Sequence, residues 1–279
     1  MNSFLNFQNQ LEEQFLNASQ AENFVELCVE HIDFFREHIQ PRFNYADFSQ
    51  RTTRATNPLK HIDDLMSYMA MYGIAHYQRL RELFDGYTLP SMQNTKKLYI
   101  VDYVCGQGIA SLAYLDHCLE MGLDLQQPIH IILVEPSTLA LKRAVYWINK
   151  KAKQHQLNIQ ITAHNCHFDD LDTCFLANEL DSHCIHLLSN ILDMYHTGSY
   201  SLQNLTKHMR NSGMSQQVFA VSPEFQSGTI GFQCFHALLQ PRELHEHTCK
   251  NIEIVEYHVN LSRLQKRVSK ARFYATTLS

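Results

Sequence analysis

The sequence predicts an α/β protein: a doubly wound, mostly parallel seven-stranded sheet with an antiparallel terminal hairpin, preceded by an N-terminal helical subdomain. Three observations predict it. Between residues 98 and 221, short apolar runs alternate with amphipathic stretches, and strands that alternate with helices pair in parallel through right-handed crossovers. The chain closes on two alternating runs, "IEIVEYHVNL" and "KRVSKARFYATTL", separated by a short polar stretch, as in a hairpin. Before residue 90 the apolar residues recur at helical spacing instead. The chain is therefore expected to divide into a helical lid, substrate or interaction unit over 1–92 and a sheet unit over 93–279.

Each element has a local reason. Phe4, Phe7, Leu11 and Phe15 share one helix face, and Ser19-Gln-Ala-Glu22 reads as a capping box before Phe24, Cys28, Ile32 and Phe35. Pro41 should close that helix. Asn57-Pro58 suits the N-cap and first turn of a long helix through Leu65, Met69, Tyr72, His76 and Leu80, with Gly86 as its stop. The linker "GYTLPSMQNTKK" then leads to strands predicted over 98–104, 129–134, 159–163, 184–188 and 218–221.

Composition narrows the function classes. A hydrophobic fraction of 45% with 18% charged residues supplies a packed core and excludes a disordered chain. The net charge of -5 gives nucleic acid no support as a partner, without excluding a local basic patch. Without a basic and apolar leader or a membrane-length apolar run, the expected location is cytoplasmic, with no membrane partner. The eight cysteines form no C-x-x-C pair and read as reduced core thiols. "HEHTC" alternates His245, His247 and Cys249, but it lacks a second ligand pair; it reads as a polar loop, and no metal is expected.

The first strand runs into "DYVCGQG". Gly106 and Gly108 allow close backbone approach to a ligand, and the helix after them would aim its first amides there. A packing turn favours glycine too. Glu135 ends the second strand in "LVEPS", where a carboxylate can accept both ribose hydroxyls. It could equally be an acid stabilised by a helix N-terminus.

In these features the chain resembles the class I S-adenosylmethionine-dependent methyltransferases, a Rossmann-like family. The matching segments are "DYVCGQG", "LVEPS", "HNCHFDDL" after the third strand and "HLLSNILDMY" after the fourth, over roughly residues 95 to 279. The resemblance implies S-adenosyl-L-methionine as cofactor. It places Asp102, Cys105, Gly106 and Gly108 along the methionine and ribose, Glu135 on the ribose, and Phe168 with Asp169 or Asp170 at the adenine. Asn190 and Asp193 fall under the transferred methyl or the amino-acid end. Asp169 and Asp170 also suit helix capping before "LDTCFLANEL". The nearest candidate bases are Tyr195 and His196.

Val104 departs from the pattern, standing where the family usually has its first glycine. A nicotinamide site fits less well, because its third glycine would fall on Ser111 and Asp102 would have no task. "SNILDMY" lacks the Asn/Asp-Pro-Pro-aromatic turn of enzymes that methylate base amino groups, so a small-molecule or protein acceptor is expected. Met69, Tyr72, His76 and Tyr77 offer a wall for it, although Met and Tyr stripes at helical spacing also build cores. Arg263, Lys266, Arg267, Lys270 and Arg272 form a basic string in the hairpin. Two readings stand: a methyltransferase with a helical lid, and a non-catalytic relative serving as a binding module. The oligomeric state is not legible in the sequence.

Overall fold

A computed structural model describes residues 9–13, 15–16, 20–21, 23–53, 57–87, 95–123, 125, 127–171, 181–198, 200–210, 214–224 and 226–278. Helix α1 (Phe24–Phe34) starts on Asn23, whose side chain accepts the Glu26 amide. The helix continues through a π turn, Phe35–Ile39, into a single 3-10 turn that contains Pro41. The predicted capping box includes Ser19 and Glu22, which lie outside the described residues.

Helix α2 (Tyr45–Thr52) follows, and then α3 (Ile62–Tyr68) and α4 (Ile74–Asp85), joined by a π turn at Met69–Gly73. The long helix begins four residues later than Asn57-Pro58 predicts. The Asn57 amide turns back to Thr53 Oγ1 at 2.9 Å and caps nothing ahead of it. Gly86 is the stop, as expected.

Seven strands form one sheet in the order β3-β2-β1-β4-β5-β7-β6. Strands β1 (Lys97–Tyr103), β2 (Ile129–Val134), β3 (Ile159–His164), β4 (Ser182–Ser189) and β5 (Ser215–Pro223) run parallel. Strand β7 (Arg263–Leu278) inserts antiparallel between β5 and β6 (Glu243–His258). Strand order reverses beside β1, which opens a crevice at the carboxyl ends of β1 and β4.

Residues 245–249 belong to β6, so "HEHTC" is a strand and not a loop. A bulge between Leu244 and Glu246 interrupts its register. Among the described residues no group of three acids, histidines or cysteines can hold a metal. The seven described cysteines are free, and among the described residues no helix is long and apolar enough to cross a membrane.

Both faces of β1 are covered, which explains its near-continuous apolar sequence. Leu98 and Ile100 pack under α5 (Ile109–Glu120) and α6 (Thr138–Gln154), in one core with Phe35, Met66, Leu80 and Phe84 of the N-terminal helices. Tyr99, Val101 and Tyr103 face α7 (Leu202–Arg210) and α8 (Gln226–Leu239).

The N-terminal helices are thus part of the sheet's cover. Fully buried Phe84 meets Tyr114 and Phe219 edge-on, each at 5.4 Å. Farther along, Arg143 of α6 pairs with Glu12 at 2.9 Å and hydrogen-bonds His31 Nε2. His31 Nδ1 donates to the Leu27 carbonyl at 2.7 Å, so Nε2 is the acceptor. Burial and the Arg143 charge hold this imidazole well below its usual pKa and keep it neutral.

The hairpin projects. Pro223 pairs with Ala271, and β7 residues before 271 run past the carboxyl end of β5 with their β6 partners. Its basic string is largely neutralised: Lys266 pairs with Glu253, Arg267 with Glu256 and Arg272 with Glu224.

Candidate active site

Strand β1 ends at Tyr103, and the backbone then turns left-handed at Val104 (φ 53°), Gly106 (φ 53°) and Gly108 (φ 81°). A branched residue at positive φ stores about 1–3 kcal/mol of strain, and Val104 does so where a glycine would not. The glycines differ in role. A Cβ on Gly108 would sit 3.0 Å from the Ala144 Cβ, so this glycine lets α6 pack against the turn. A Cβ on Gly106 would meet nothing within 4 Å. That turn faces open space.

Glu135 ties this turn to the next. Its Oε2 accepts the Gly106 amide at 3.0 Å and its Oε1 accepts the Ser137 amide at 2.8 Å. Ser137 in turn caps α6 through Ala140, and its hydroxyl donates to the Leu59 carbonyl of the N-terminal region. Burial raises the Glu135 pKa to about 7, against the lowering effect of the two amides and with a further rise from Asp102. A carboxylate has about four acceptor positions, and two hydrogen bonds leave capacity for a ligand's hydroxyls.

Asn165 completes the frame from the end of β3. Its amide donates to the Glu135 and Pro136 carbonyls at 2.9 and 3.0 Å. Sequence reasoning missed it, because an asparagine after a strand carries no distinguishing signal.

Asp102 sits beneath the turn. It is 1% exposed, and its Oδ2 accepts both the amide (3.1 Å) and the hydroxyl (2.7 Å) of Ser111. Burial lifts its pKa to about 7 despite these bonds. Asp102 therefore holds the start of α5 and shapes the turn from behind. Cys105 is buried, its thiol pushed up by desolvation and by the Asp102 and Glu135 charges.

The third-strand residues divide. Phe168 is 2% exposed and packs edge-on against Tyr200 at 5.1 Å, inside the second core. Asp169 accepts the Ser201 amide at 2.9 Å and Asn204 Nδ2 at 3.2 Å, which ties it to the start of α7, where the Ser201 hydroxyl caps the Asn204 amide. Residues 172–180 of the helix predicted after it lie outside the described residues. Asp170 is exposed.

At the end of β4, Asn190 is left-handed (φ 57°) and its amide donates to the Val221 carbonyl at 2.8 Å. Its Nδ2 reaches Ser189 Oγ, and its buried Oδ1 has no hydrogen-bond partner among the described residues. Asp193 accepts the Ser222 hydroxyl at 3.0 Å. Tyr195 is half-buried beside Tyr200, while the His196 side chain lies outside the described residues.

Helix α3 packs against the turns that follow β1 and β2. Gln107 of the glycine turn donates to the Leu65 carbonyl at 3.0 Å, and Tyr68 packs with Leu59, Leu65 and Ala140. Burial, and then the Glu135 and Asp193 charges, push the Tyr68 pKa up. The Tyr68 hydroxyl shares a hydrogen bond with His76 Nδ1 at 3.2 Å. Of the predicted wall, Tyr72 and His76 are stacked at 6.0 Å and half-buried. Met69 is core, and Tyr77 points to Phe24 and Asp116.

No family model matches the chain. No curated protein matches either. Solved structures do. One is a Listeria monocytogenes protein assigned to the class I S-adenosylmethionine-dependent methyltransferases, at 12% identity over 88% of this chain and 72% of that one, with a TM-score of 0.42. Geranyl diphosphate C-methyltransferase from Streptomyces coelicolor matches at 10% identity over 81% and 88%, also with 0.42. Precorrin 8w decarboxylase from Methanobacterium thermoautotrophicum matches at 12% over 67% and 84%, with 0.39. These similarities are remote. The functional reading therefore rests on this chain's own residues.

Proposed function

We propose that this protein binds S-adenosyl-L-methionine and transfers its methyl group to a small-molecule or protein acceptor held beneath the N-terminal helices. The observation that carries the reading is the Glu135 carboxylate at the end of β2, bonded to the amide of Gly106 at a turn that faces open space. This pairs an acceptor for ribose hydroxyls with a backbone that a ligand can approach closely. Gly106 and Glu135 would hold the cofactor, with Asp102 and Asn165 fixing their loops. The cofactor, when bound, supplies an electrophilic methyl on a sulfonium.

The chain's own contribution is alignment. Moving a methyl in line needs nucleophile and sulfur held at a fixed approach, and orientation can supply much of the acceleration. Tyr68, which feels the Glu135 and Asp193 charges, and Asn190, with its unfilled buried oxygen, would orient an acceptor. His76 is neutral, held down to about 3 by burial and by the Arg79 charge. Its Nδ1 can take the Tyr68 hydroxyl proton's hydrogen bond.

Thermal melts test the reading. S-adenosylmethionine or S-adenosylhomocysteine at about 100 times its dissociation constant should add about 2.7 kcal/mol, and nicotinamide cofactors should add nothing. Glu135→Ala and Gly106→Val should each remove that shift. Retention by both variants would refute the site.

One observation favours a second reading. Val104 holds a glycine conformation with a branched side chain, as a relative that has lost catalysis could tolerate. A melt unmoved by every cofactor would favour the binding module.

A further inference from the structure

A buried cation stands beside this crevice without a carboxylate of its own. Arg79 on α4 is 4% exposed. Its Nη2 donates to Ser269 Oγ at 3.1 Å, its Nε is buried with no hydrogen-bond partner, and it makes no ion pair among the described residues. Glu256 is near enough to act on it, yet that carboxylate is taken by Arg267 at 2.7 Å. The Arg267 charge also disfavours the Arg79 cation, and burial is the larger cause; together they bring it down to about 10. A guanidinium in such a place stays charged and lacks its anion.

Its position is on the carboxyl side of the sheet. Ser269 lies on the part of β7 that projects past the end of β5. The Arg79 charge acts on Tyr68 and His76, and the Asp193 charge acts on Arg79. Tyr68, Tyr72 and His76 form a half-buried aromatic group here, with Tyr68 and Tyr72 edge-on at 5.4 Å. Flat walls and a buried planar cation suit one kind of guest.

We infer that Arg79 is the anchor for an anionic group, a carboxylate or a phosphate, on a small planar acceptor that lies against Tyr68, Tyr72 and His76. Ser269 orients the guanidinium. As an acceptor assignment this rests on the methyl-transfer reading, while the binding of the anion does not.

Benzoate, phenyl phosphate and neutral benzamide test it by thermal melts and calorimetric titration of the full chain. Benzoate or phenyl phosphate should bind saturably and raise the melting temperature; benzamide should do neither. Whichever anion binds more tightly identifies the group. Arg79→Met should lose this binding at least tenfold and, ligand-free, melt no lower than the wild type, because a buried charge lacking its partner is removed. Ser269→Ala, which deletes only the orienting hydroxyl, should weaken binding several-fold without changing the fold.

Absence of saturable binding of both anions to the wild type would overturn the inference, as would equal binding by Arg79→Met or by Ser269→Ala. The cofactor is kept apart by a second measurement. S-adenosylhomocysteine should shift Arg79→Met as it shifts the wild type. Loss of that shift would assign Arg79 to the cofactor and overturn its role toward the acceptor.

Discussion

Replacing Glu135 by glutamine should change stability in a pH-dependent way, and the structure sets the size. Both carboxylate oxygens accept backbone amides, that of half-buried Gly106 at 3.0 Å and that of buried Ser137 at 2.8 Å. Glutamine offers one oxygen and one donor, so one amide faces an amide. Leaving a buried donor unpaired costs about 1–3 kcal/mol.

Against this stands the cost of keeping a charge in the same place. The wild-type carboxyl, raised from 4.5 to about 7, is a folded-state pKa above the unfolded value. Its favourable contribution is fully present below about pH 4.5 and is lost as pH rises through 7. Once lost, it amounts to roughly 3 kcal/mol. Glutamine never ionises. At pH 5, Glu135→Gln should therefore be less stable than the wild type by about 1–3 kcal/mol. At pH 8.5 the difference should shrink to about zero or change sign. Urea titrations at the two pH values measure this. An equal loss at both would show that Glu135 is not held in a desolvated, raised state, and the reasoning would fail.

The two glycines should separate in the same assay. Gly108→Ala adds both left-handed strain and a Cβ 3.0 Å from Ala144, and should cost about 2–4 kcal/mol; Gly106→Ala meets open space and should cost about 1 kcal/mol. Val104→Gly exchanges about 1–3 kcal/mol of strain for lost packing and greater chain entropy, so its stability should change little while its cofactor affinity, measured by calorimetry, rises. Phe84→Ala empties a fully buried position between Tyr114 and Phe219 and should cost about 3–5 kcal/mol. A loss under 1 kcal/mol would show that α4 is loosely docked.

The centre of the sheet was legible because β1, β2, β4 and β5 are buried almost throughout and read as apolar runs. Strand β2 matches its predicted bounds, and β1 ends one residue early because Val104 leaves extended backbone. "HEHTC" misled because β6 is an outer strand beside only β7, so its polar residues are compatible with pairing. Asn57 misled through a local competitor, Thr53.

At the site, the Gly106 turn and Glu135 could be read from spacing after a strand. The roles of Asp169 and Phe168 could not, since their partners Ser201 and Tyr200 come from another turn. The same limit hid Arg79. It lies one helical turn from the predicted wall residue His76, but its importance depends on Ser269, 190 positions away.

The central claim is that Glu135 and the Gly106 turn form the seat of an adenosyl ligand. A structure determined with S-adenosylhomocysteine tests it most directly. The account predicts both ribose hydroxyls within hydrogen-bond distance of the Glu135 carboxylate, with the ligand passing over Gly106. A ligand bound elsewhere, or turned so that Glu135 touches no hydroxyl, would contradict it.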